Sequence, residues 1–272
     1  MILSHARSLL FLPASNARAI AKVRTLGCDM VLFDLEDAVP DDKKGEARDG
    51  ARTAMAEGGF GERLLALRVN CADTPWYGDD CALARDLPVD YVVLPKAESA
   101  DDVASVAAST GKPVIAMIES PGAVFASAAI AADPGAAALF VGVNDLRRDL
   151  GIPATASRAS VSVALQTIVL AARASGKAVF DGVYNKLDDP EGFAAECREG
   201  RLLGFDGKTL IHPNQVDTAN RLFAPDDAEL ARARRLIEAA TGGAERFEGE
   251  MIETMHVDAA RALLDRAEQT GA

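Results

Sequence analysis

The sequence predicts an α/β fold: a (β/α)8 barrel (TIM barrel) followed by a C-terminal helical extension. The 272 residues are 49% hydrophobic and 26% charged, a composition typical of a chain with a large core. Short apolar runs alternate with longer amphipathic stretches, and the runs are continuously apolar, as in parallel strands that helices cover on both faces. A doubly wound open sheet is the alternative. It favours a glycine-rich phosphate loop, and no GxGxxG or GxxxxGK[ST] motif is present.

Eight apolar runs are the predicted strands. In chain order they are 8–13, 30–34, 64–69, 91–95, 113–119, 137–142, 178–182 and 202–207. Ser15 is the predicted cap of the first helix, which is expected to end at Gly27. Ser99 and Asp102 form a predicted capping pair, and Pro121 is well placed to begin the helix after the fifth strand. This repeated strand–helix order is what a barrel requires.

The chain beyond the eighth strand is predicted to be helical. One helix follows Pro213, a second covers 226–240, and a glycine-containing link leads to a last helix that ends near Thr270. This segment lies outside the barrel repeat, so we expect it to act as a lid or as an arm that contacts another subunit. The predicted domains are the catalytic barrel, 1–222, and the extension, 223–272.

Charge and cysteine content exclude several classes of protein. The chain has 29 Lys and Arg against 41 Asp and Glu, a net charge of −12, which argues against nucleic acid as a partner. Its four cysteines form no CxxC pair, as expected of reduced thiols. The early apolar run at 9–12 is too short for a signal peptide, and no segment approaches the ~20 apolar residues of a membrane span. A cytoplasmic protein without membrane contact is therefore expected.

Polar residues follow the predicted strands, at the ends where barrel enzymes carry their chemistry. They are Asp34, Glu36, Asp37, Arg68, Asn70, Lys96, Glu119, Asn144, Asp145, Asp181, Asp206 and Lys208. Any one of them could be an ordinary solvated loop residue. A whole ring of them favours a functional site.

The chemistry of this ring indicates a divalent cation. Several carboxylates without His or Cys neighbours favour Mg²⁺, or alternatively Mn²⁺, over zinc. Glu119 and Asp145 follow adjacent strands and can supply two ligands. A guanidinium at Arg68 suits a substrate carboxylate, which it can hold with two hydrogen bonds. A metal with open positions beside such an arginine can polarise a carbonyl and stabilise an enolate.

Eight stretches in chain order carry a family resemblance. They are RSLLFLPASN (7–16), VLFDLEDAVPDDKK (31–44), LRVN (67–70), VLPKAES (93–99), IESPGAV (118–124), GVNDLRRDLG (142–151), GFDGKTLIHPNQV (204–216) and FEGEMIE (247–253). Through them the chain resembles the citrate lyase β-subunit-like branch of the HpcH/HpaI aldolase superfamily, which includes malyl-CoA and citramalyl-CoA lyases.

The resemblance implies an activity and a set of site residues. The expected enzyme is a Mg²⁺-dependent C–C lyase that cleaves a 3-hydroxy-acyl-CoA thioester, such as malyl-CoA or citramalyl-CoA, into a 2-oxo acid and acetyl-CoA. By position, Glu119 and Asp145 match the family's metal ligands and Arg68 matches the arginine that binds the substrate carboxylate. Glu36 and Asp37 match the acidic pair that orders metal-bound water.

The remaining residues implied by the resemblance are substrate contacts. Phe11, Pro13, Arg18 and Lys22 match the region that contacts CoA. Lys96 is expected in the same polar rim, where it would contact substrate.

The C-terminal tail departs from the family pattern. That pattern is G-x-M-[IV]-D, whereas this chain has Glu253 at the acidic position, one methylene longer. In the family the tail acid handles the proton on the thioester's α-carbon and often comes from a neighbouring subunit, so a homotrimer or homohexamer is expected. Asn144 also stands where the family frequently has Glu.

Three other functions stay open at this point. The site could hydrolyse the thioester. The chain could be a β subunit that is active only within a multi-subunit citrate lyase, with an α subunit and an acyl-carrier partner. It could also be a non-catalytic barrel that binds a 2-oxo acid.

Overall fold

Eight parallel strands close into a barrel in the computed structural model, which describes residues 1–270. The strands are β1 (Ser8–Pro13), β2 (Met30–Asp34), β3 (Leu64–Arg68), β4 (Tyr91–Leu94), β5 (Val114–Ile118), β6 (Ala136–Val141), β7 (Ala178–Asp181) and β8 (Gly207–Leu210). Each strand pairs with the next along the chain, and β8 pairs with β1. The predicted fold class is confirmed.

Helices alternate with the strands and continue beyond them. They are α1 (Ala17–Val23), α2 (Lys44–Glu57), α3 (Tyr77–Asp86), α4 (Ala100–Thr110), α5 (Pro121–Ala132), α6 (Val143–Asp149), α7 (Ser162–Ala174), α8 (Pro190–Leu203), α9 (Val216–Phe223), α10 (Asp227–Ala239) and α11 (Thr254–Thr270). None of the helices within residues 1–270 is long and apolar enough to cross a bilayer.

Local sequence signals explain where several helices begin. Ser99 and Asp102 form a reciprocal capping box at the start of α4, as predicted. Pro121 occupies the first turn of α5, where its missing N–H is not needed. The prediction for α1 was wrong in detail, because the side chain of Asn16, not that of Ser15, caps this helix. Helix α1 also ends at Val23, before Gly27.

Two apolar layers hold the barrel together. Side chains alternate along each strand, so one set fills the barrel interior and the other packs under the helices. The interior set includes Leu9, Met30, Leu32, Ala66, Val93, Ile115, Met117, Ala138, Phe140 and Phe180. This set contains both large and small side chains. Burial of each large one contributes about 1.5–3 kcal/mol to the stability of the folded state.

The eighth strand lies five residues later than predicted. The run at 202–207 is apolar, but Leu203 ends α8 and Gly204 adopts a left-handed backbone with φ of 99° that ends the helix. The strand begins at Gly207, where a Cβ would lie 2.4 Å from the carbonyl oxygen of Ala6. Glycine there lets β8 approach the chain before β1 and close the barrel.

Three residues of the predicted ring do not face the barrel mouth. Asp206 lies before β8, at the opposite end of the barrel. Lys208 is fully buried within β8, and its amine is 2.8 Å from the carboxylate of Asp181. Arg158 binds the other oxygen of Asp181, so this carboxylate belongs to a buried ion cluster behind the barrel wall.

The glycine-containing link forms a hairpin that the sequence analysis missed. Strands β9 (Glu245–Phe247) and β10 (Glu250–Ile252) pair in antiparallel fashion. Glu248 and Gly249 form the two-residue turn, with φ of 48° and 90°, as a tight hairpin of this type requires. The Glu-Gly pair between short alternating runs is the signal that could have predicted it.

The C-terminal extension packs at the amino end of the barrel. Helix α11 lies along α10, and near its end Gln269 is 2.8 Å from the ring of His5. Arg266 donates a hydrogen bond to the carbonyl of Asp206, just before β8. The extension therefore does not act as a lid over its own barrel mouth.

Candidate active site

A cavity of about 290 Å³ opens at the carboxyl ends of the strands. Within the described part of the chain, its lining residues all lie between positions 11 and 211. They are Phe11, Asp34, Asp37, Ala38, Arg68, Met117, Glu119, Phe140, Val141, Gly142, Val143, Asn144, Asp145, Val183, Asn185, Thr209 and Ile211. Predicted site residues from the second, third, fifth and sixth strand–helix units thus meet in one place.

Arg68 is locked in position by Asp34. The two residues end neighbouring strands and lie in register with each other. Nε of Arg68 donates to one carboxylate oxygen at 2.7 Å, and Nη2 donates to the other at 2.6 Å. Both side chains are buried, and the ring of Phe11 lies 4.8 Å from the guanidinium carbon. Nη1 also lies 2.8 Å from the carboxylate of Glu36 and makes a long contact, 3.8 Å, with the sulfur of Met117. A ligand carboxylate could take the second hydrogen of Nη2 and replace this contact with sulfur.

Sequence reasoning placed Asp34 in the polar ring but gave it no role. The signal that could have found the role is the register of the sheet, since the last residues of two adjacent parallel strands lie side by side. A carboxylate and a guanidinium in that arrangement form a two-bond pair.

Glu36 supports Arg68 from outside the cavity wall. Its Oε2 lies 2.8 Å from Nη1 of Arg68, and its Oε1 accepts a hydrogen bond from the thiol of Cys71 at 3.3 Å. Burial raises the pKa of Glu36. Asp37 is mostly exposed, lines the cavity and lies 3.8 Å from Nη1 of Arg68. Burial opposes the charge of Arg68, but the surrounding carboxylates outweigh it and raise its pKa.

Glu119 lies just beyond β5 and is buried in the cavity wall. Its Oε1 accepts the backbone N–H of Lys96 at 2.6 Å, and Lys96 adopts a left-handed backbone with φ of 48°. Its other oxygen lies against Gly142, where a Cβ would come within 2.3 Å. Burial, together with the charges of Glu36 and Asp145, raises the pKa of Glu119 to about 8.

Asp145 faces the same cavity from the first turn of α6. Its carboxylate pairs with Arg148, which is two-thirds exposed and can move away. Beside it, Nδ2 of Asn185 donates to Oδ1 of Asn144 at 2.6 Å and links the segment after β7 to α6. The carboxyl groups of Glu119 and Asp145 therefore face one cavity, and the charge of Asp145 adds to the larger effect of burial in raising the pKa of Glu119.

The donor set at this point fits a magnesium ion. Among residues 1–270, no three His, Cys, Asp or Glu side chains converge in a way that could hold a metal. Glu119 and Asp145 supply two carboxylates, and Mg²⁺ ordinarily takes one or two from a protein and fills its other positions with water and substrate oxygens. A cation would also stabilise the charged form of Glu119, which burial and, to a smaller extent, the neighbouring carboxylates disfavour.

Three predicted substrate contacts lie outside the cavity lining. Arg18 and Lys22 are exposed, one helical turn apart on α1. Pro13 is half-buried at the end of β1. Phe11 is the member of this group that lines the cavity.

Lys96 lines a different cavity. Its exposed side chain faces a neighbouring space of about 370 Å³ that it shares with Cys71 and Tyr77. The backbone N–H of Lys96 bonds to Glu119. Against the opposing effect of burial, the charges of Glu36 and Glu119 contribute to raising the pKa of the Lys96 side chain.

Glu253 is not brought to the site within one chain. It lies between β10 and α11 and lines a separate cavity of about 260 Å³ together with Thr241 and Arg261. The hairpin and α11 place it in the extension, which packs at the amino end of the barrel. A role at the mouth would require a second copy of the chain.

Similarity to known proteins agrees with this architecture. The model of the HpcH/HpaI aldolase/citrate lyase family matches residues 7–213 of the 272. The chain belongs to this family. The predicted resemblance is therefore confirmed.

Relatives of two kinds are similar over nearly the whole chain. The (3S)-malyl-CoA thioesterase of Cereibacter sphaeroides is 40% identical, covering 98% of this chain and 96% of the relative. Citrate lyase subunit beta of Escherichia coli is 32% identical, covering 97% of this chain and 94% of the relative.

A solved structure extends the likeness to three dimensions. The crystal structure of protein CitE from Mycobacterium tuberculosis, in complex with magnesium, acetoacetate and coenzyme A, superposes with a TM-score of 0.85. It is 32% identical, and the match covers 98% of this chain and all of the other.

Proposed function

We propose that this protein is a magnesium-dependent enzyme acting on a 3-hydroxy-acyl-CoA thioester that carries a free carboxylate, such as malyl-CoA. The observation that carries this proposal is one cavity that joins the immobilised Arg68 to the carboxylates of Glu119 and Asp145. The guanidinium suits the substrate carboxylate and the acidic pair suits a hard cation. The C. sphaeroides relative is named for the same class of thioester.

Each residue has a distinct part in this proposal. Glu119 and Asp145 would hold Mg²⁺, or Mn²⁺ in its place, and the ion would supply Lewis-acid polarisation of substrate oxygens. Arg68 would bind the substrate carboxylate through Nη1 and Nη2. Asp37 lines the cavity and is the exposed carboxylate available to take a proton. Glu36 lies behind Arg68 and acts as a positioning residue.

We favour hydrolysis of the thioester as the reaction. For malyl-CoA, water adds to the thioester carbonyl carbon and the C–S bond breaks. One proton of the water goes to the CoA thiol, and the other is released as the new carboxyl group of malate ionises. The 40% identity to a malyl-CoA thioesterase over 98% of the chain supports this reaction. It also needs no acid from the C-terminal tail.

Cleavage of the C–C bond is the second candidate, supported by the family itself and by the likeness to citrate lyase subunit beta. A base takes the 3-hydroxyl proton, the bond between C2 and C3 breaks, and a 2-oxo acid leaves. The resulting acetyl-CoA enolate must gain a proton at its α-carbon. Glu253 would have to supply it from a second copy, in a homotrimer or homohexamer. Assembly with citrate lyase α and acyl-carrier subunits is the remaining form of this candidate.

The products distinguish these reactions. We would incubate the purified protein and Mg²⁺ with malyl-CoA and with citramalyl-CoA, and measure free thiol and 2-oxo acid separately. Hydrolysis predicts thiol without 2-oxo acid, whereas C–C cleavage predicts 2-oxo acid without thiol. A contrary result would be that neither thiol nor 2-oxo acid appears from malyl-CoA or from citramalyl-CoA, even after citrate lyase α and acyl-carrier subunits are added. That result would contradict an acyl-CoA enzyme and favour a non-catalytic barrel that binds a 2-oxo acid.

We propose that the CoA part of the substrate binds along α1. Changing Arg18 and Lys22 together to Ala should raise KM for the thioester without a matching loss of kcat, because these exposed cations would contact only the nucleotide part of CoA.

A further inference from the structure

A second cavity, of about 230 Å³, lies at the amino end of the barrel, opposite the mouth. Three arginines from three different helices converge on it: Arg173 of α7, Arg201 of α8 and Arg266 of α11. Its other walls are formed by Gly204, Phe205, Asp206, Phe223, Pro225 and Leu263. In a chain with a net charge of −12, three converging cations are an exception that needs a physical reason.

Two of these arginines have carboxylates of their own. Arg173 donates to both oxygens of Asp206, at 2.6 and 3.1 Å. Arg201 contacts both oxygens of Glu229 through Nη2, at 2.7 and 2.9 Å. The Nε and Nη1 groups of Arg201 take no part in this ion pair.

Arg266 has no carboxylate of its own among residues 1–270. Its Nη2 donates to a neutral acceptor, the carbonyl of Asp206, and its Nη1 is 3.8 Å from the carboxylate that Arg173 already holds. Its Nε is buried and has no hydrogen-bond partner within residues 1–270. Burial and the neighbouring positive charges lower the pKa of Arg266.

The local balance is therefore three guanidinium groups against two carboxylates. An unpaired buried donor of a charged group is costly, because it has lost water and gained no partner. An anion in the cavity would contact the Nη groups of Arg266 and neutralise the remaining positive charge.

We propose that this cavity binds a small phosphate-type oxyanion. Donors that converge from separate helices suit a tetrahedral group with several acceptor oxygens better than a flat carboxylate, which one guanidinium already saturates. The apolar wall at Phe205 and Leu263 leaves room for the organic part of a phosphate monoester. The proposal is independent of the function assigned to the barrel mouth.

Such a ligand would fasten the C-terminal extension to the barrel. Arg266 belongs to α11, whereas Arg173 and Arg201 belong to helices of the barrel shell. Binding would therefore stabilise the docking of α11, and backbone amides of 254–270 should exchange hydrogen more slowly when phosphate is present.

The test is calorimetric titration of the full chain with inorganic phosphate and, separately, with acetate at constant ionic strength. We expect saturable phosphate binding that Arg266→Gln weakens about tenfold or more, the loss of one charged hydrogen-bonding partner. Arg201→Gln should also weaken it. Arg261→Gln is the matched control, because Arg261 lies on the same helix, is exposed and pairs with Asp258 on its own helix.

Several results would overturn the proposal. They are no phosphate binding to the wild type, equal affinity in Arg266→Gln, an equal loss in Arg261→Gln, or acetate binding as tightly as phosphate. Arg68→Lys must retain phosphate binding, since loss there would place the anion at the barrel mouth. Circular dichroism of each variant confirms that the fold persists.

Discussion

At the scale of single residues, the arrangement of Arg68 explains how a buried cation is made available to a ligand. Asp34 holds one edge of the guanidinium and the ring of Phe11 covers a face, so little side-chain freedom is left to lose on binding. Lysine at this position could not reproduce the geometry, because an ammonium is a point charge without a planar pair of donors.

Arg68→Lys should therefore impair substrate binding and turnover while the fold survives. We expect kcat/KM to fall about 100-fold or more, mainly through KM, because a charged two-bond contact with the substrate carboxylate is lost. Steady-state kinetics on whichever thioester proves active would measure this. Arg85→Lys, at an exposed ion pair with Asp86, serves as control and should change neither parameter.

Glu119 gives a pH dependence whose sign follows from its burial. Its pKa is raised from 4.5 to about 8 in the folded protein, so the folded state holds a proton that the unfolded chain releases. Without divalent cations, this group's contribution to the free energy of unfolding is full below pH 4.5. It falls by up to about 1.4 kcal/mol per pH unit as the pH rises toward 8.

Urea denaturation with a chelator, over this pH range, would measure the effect. Glu119→Gln has no proton to lose at this position. The stability of the wild type relative to the variant should therefore fall as the pH rises from 4.5 to 8. Parallel stability curves for the two proteins would show that burial does not raise the pKa of this carboxyl.

Among the elements of the fold, the turn from β6 into α6 allows Glu119 and Asp145 to face the same cavity. Glu119 after β5 occupies the space directly over Gly142, and α6 begins with the next residue and carries Asp145 in its first turn. Any side chain at 142 would push the carboxylate of Glu119 away from its place.

Gly142→Ala should therefore destabilise the protein by about 1–3 kcal/mol, the usual cost of an added methyl in a packed site, and weaken Mg²⁺ binding. Gly45→Ala is the matched control, since nothing lies within 4 Å of a Cβ added at that position in α2. Thermal unfolding and calorimetry on both variants test this. Equal effects of the two substitutions would contradict the steric role of Gly142.

The strands also show which parts of the fold a sequence can predict. Seven strands follow from continuous apolar runs, because both faces of each strand are buried. The eighth was misplaced because the apolar pair Leu202 and Leu203 belongs to the end of a helix. Leu202 is 88% exposed, so its apolar character does not indicate a buried strand. The strand itself contains Lys208, whose buried charge depends on Asp181, a partner that no local pattern reveals.

At the scale of the whole molecule, the mouth of the barrel was predictable and the position of the tail was not. Strand ends in a closed barrel meet at one rim, so Arg68, Glu119 and Asp145 could be grouped from sequence alone. The path of residues 223–270 depends on packing between α10 and α11 and on long-range contacts such as Arg266 with Asp206. We propose that 223–272 forms an arm that contacts another subunit.

If that arm delivers Glu253 to another subunit's mouth, two impaired variants should complement each other. Glu253→Gln and Arg68→Lys should each have strongly reduced C–C lyase activity at subsaturating thioester, and mixed oligomers formed by refolding them together should regain part of it. Assay of 2-oxo acid release tests this. Full activity in Glu253→Gln alone would exclude the tail acid from the reaction.

Joint binding of a divalent ion by Glu119 and Asp145 beside Arg68 is the proposal on which the function depends, and calorimetric titration with Mg²⁺ is its direct test. We expect one site per chain in the wild type, and no detectable binding in the double variant Glu119→Gln, Asp145→Asn, with circular dichroism unchanged. Mg²⁺ affinity in the double variant equal to that of the wild type would contradict it.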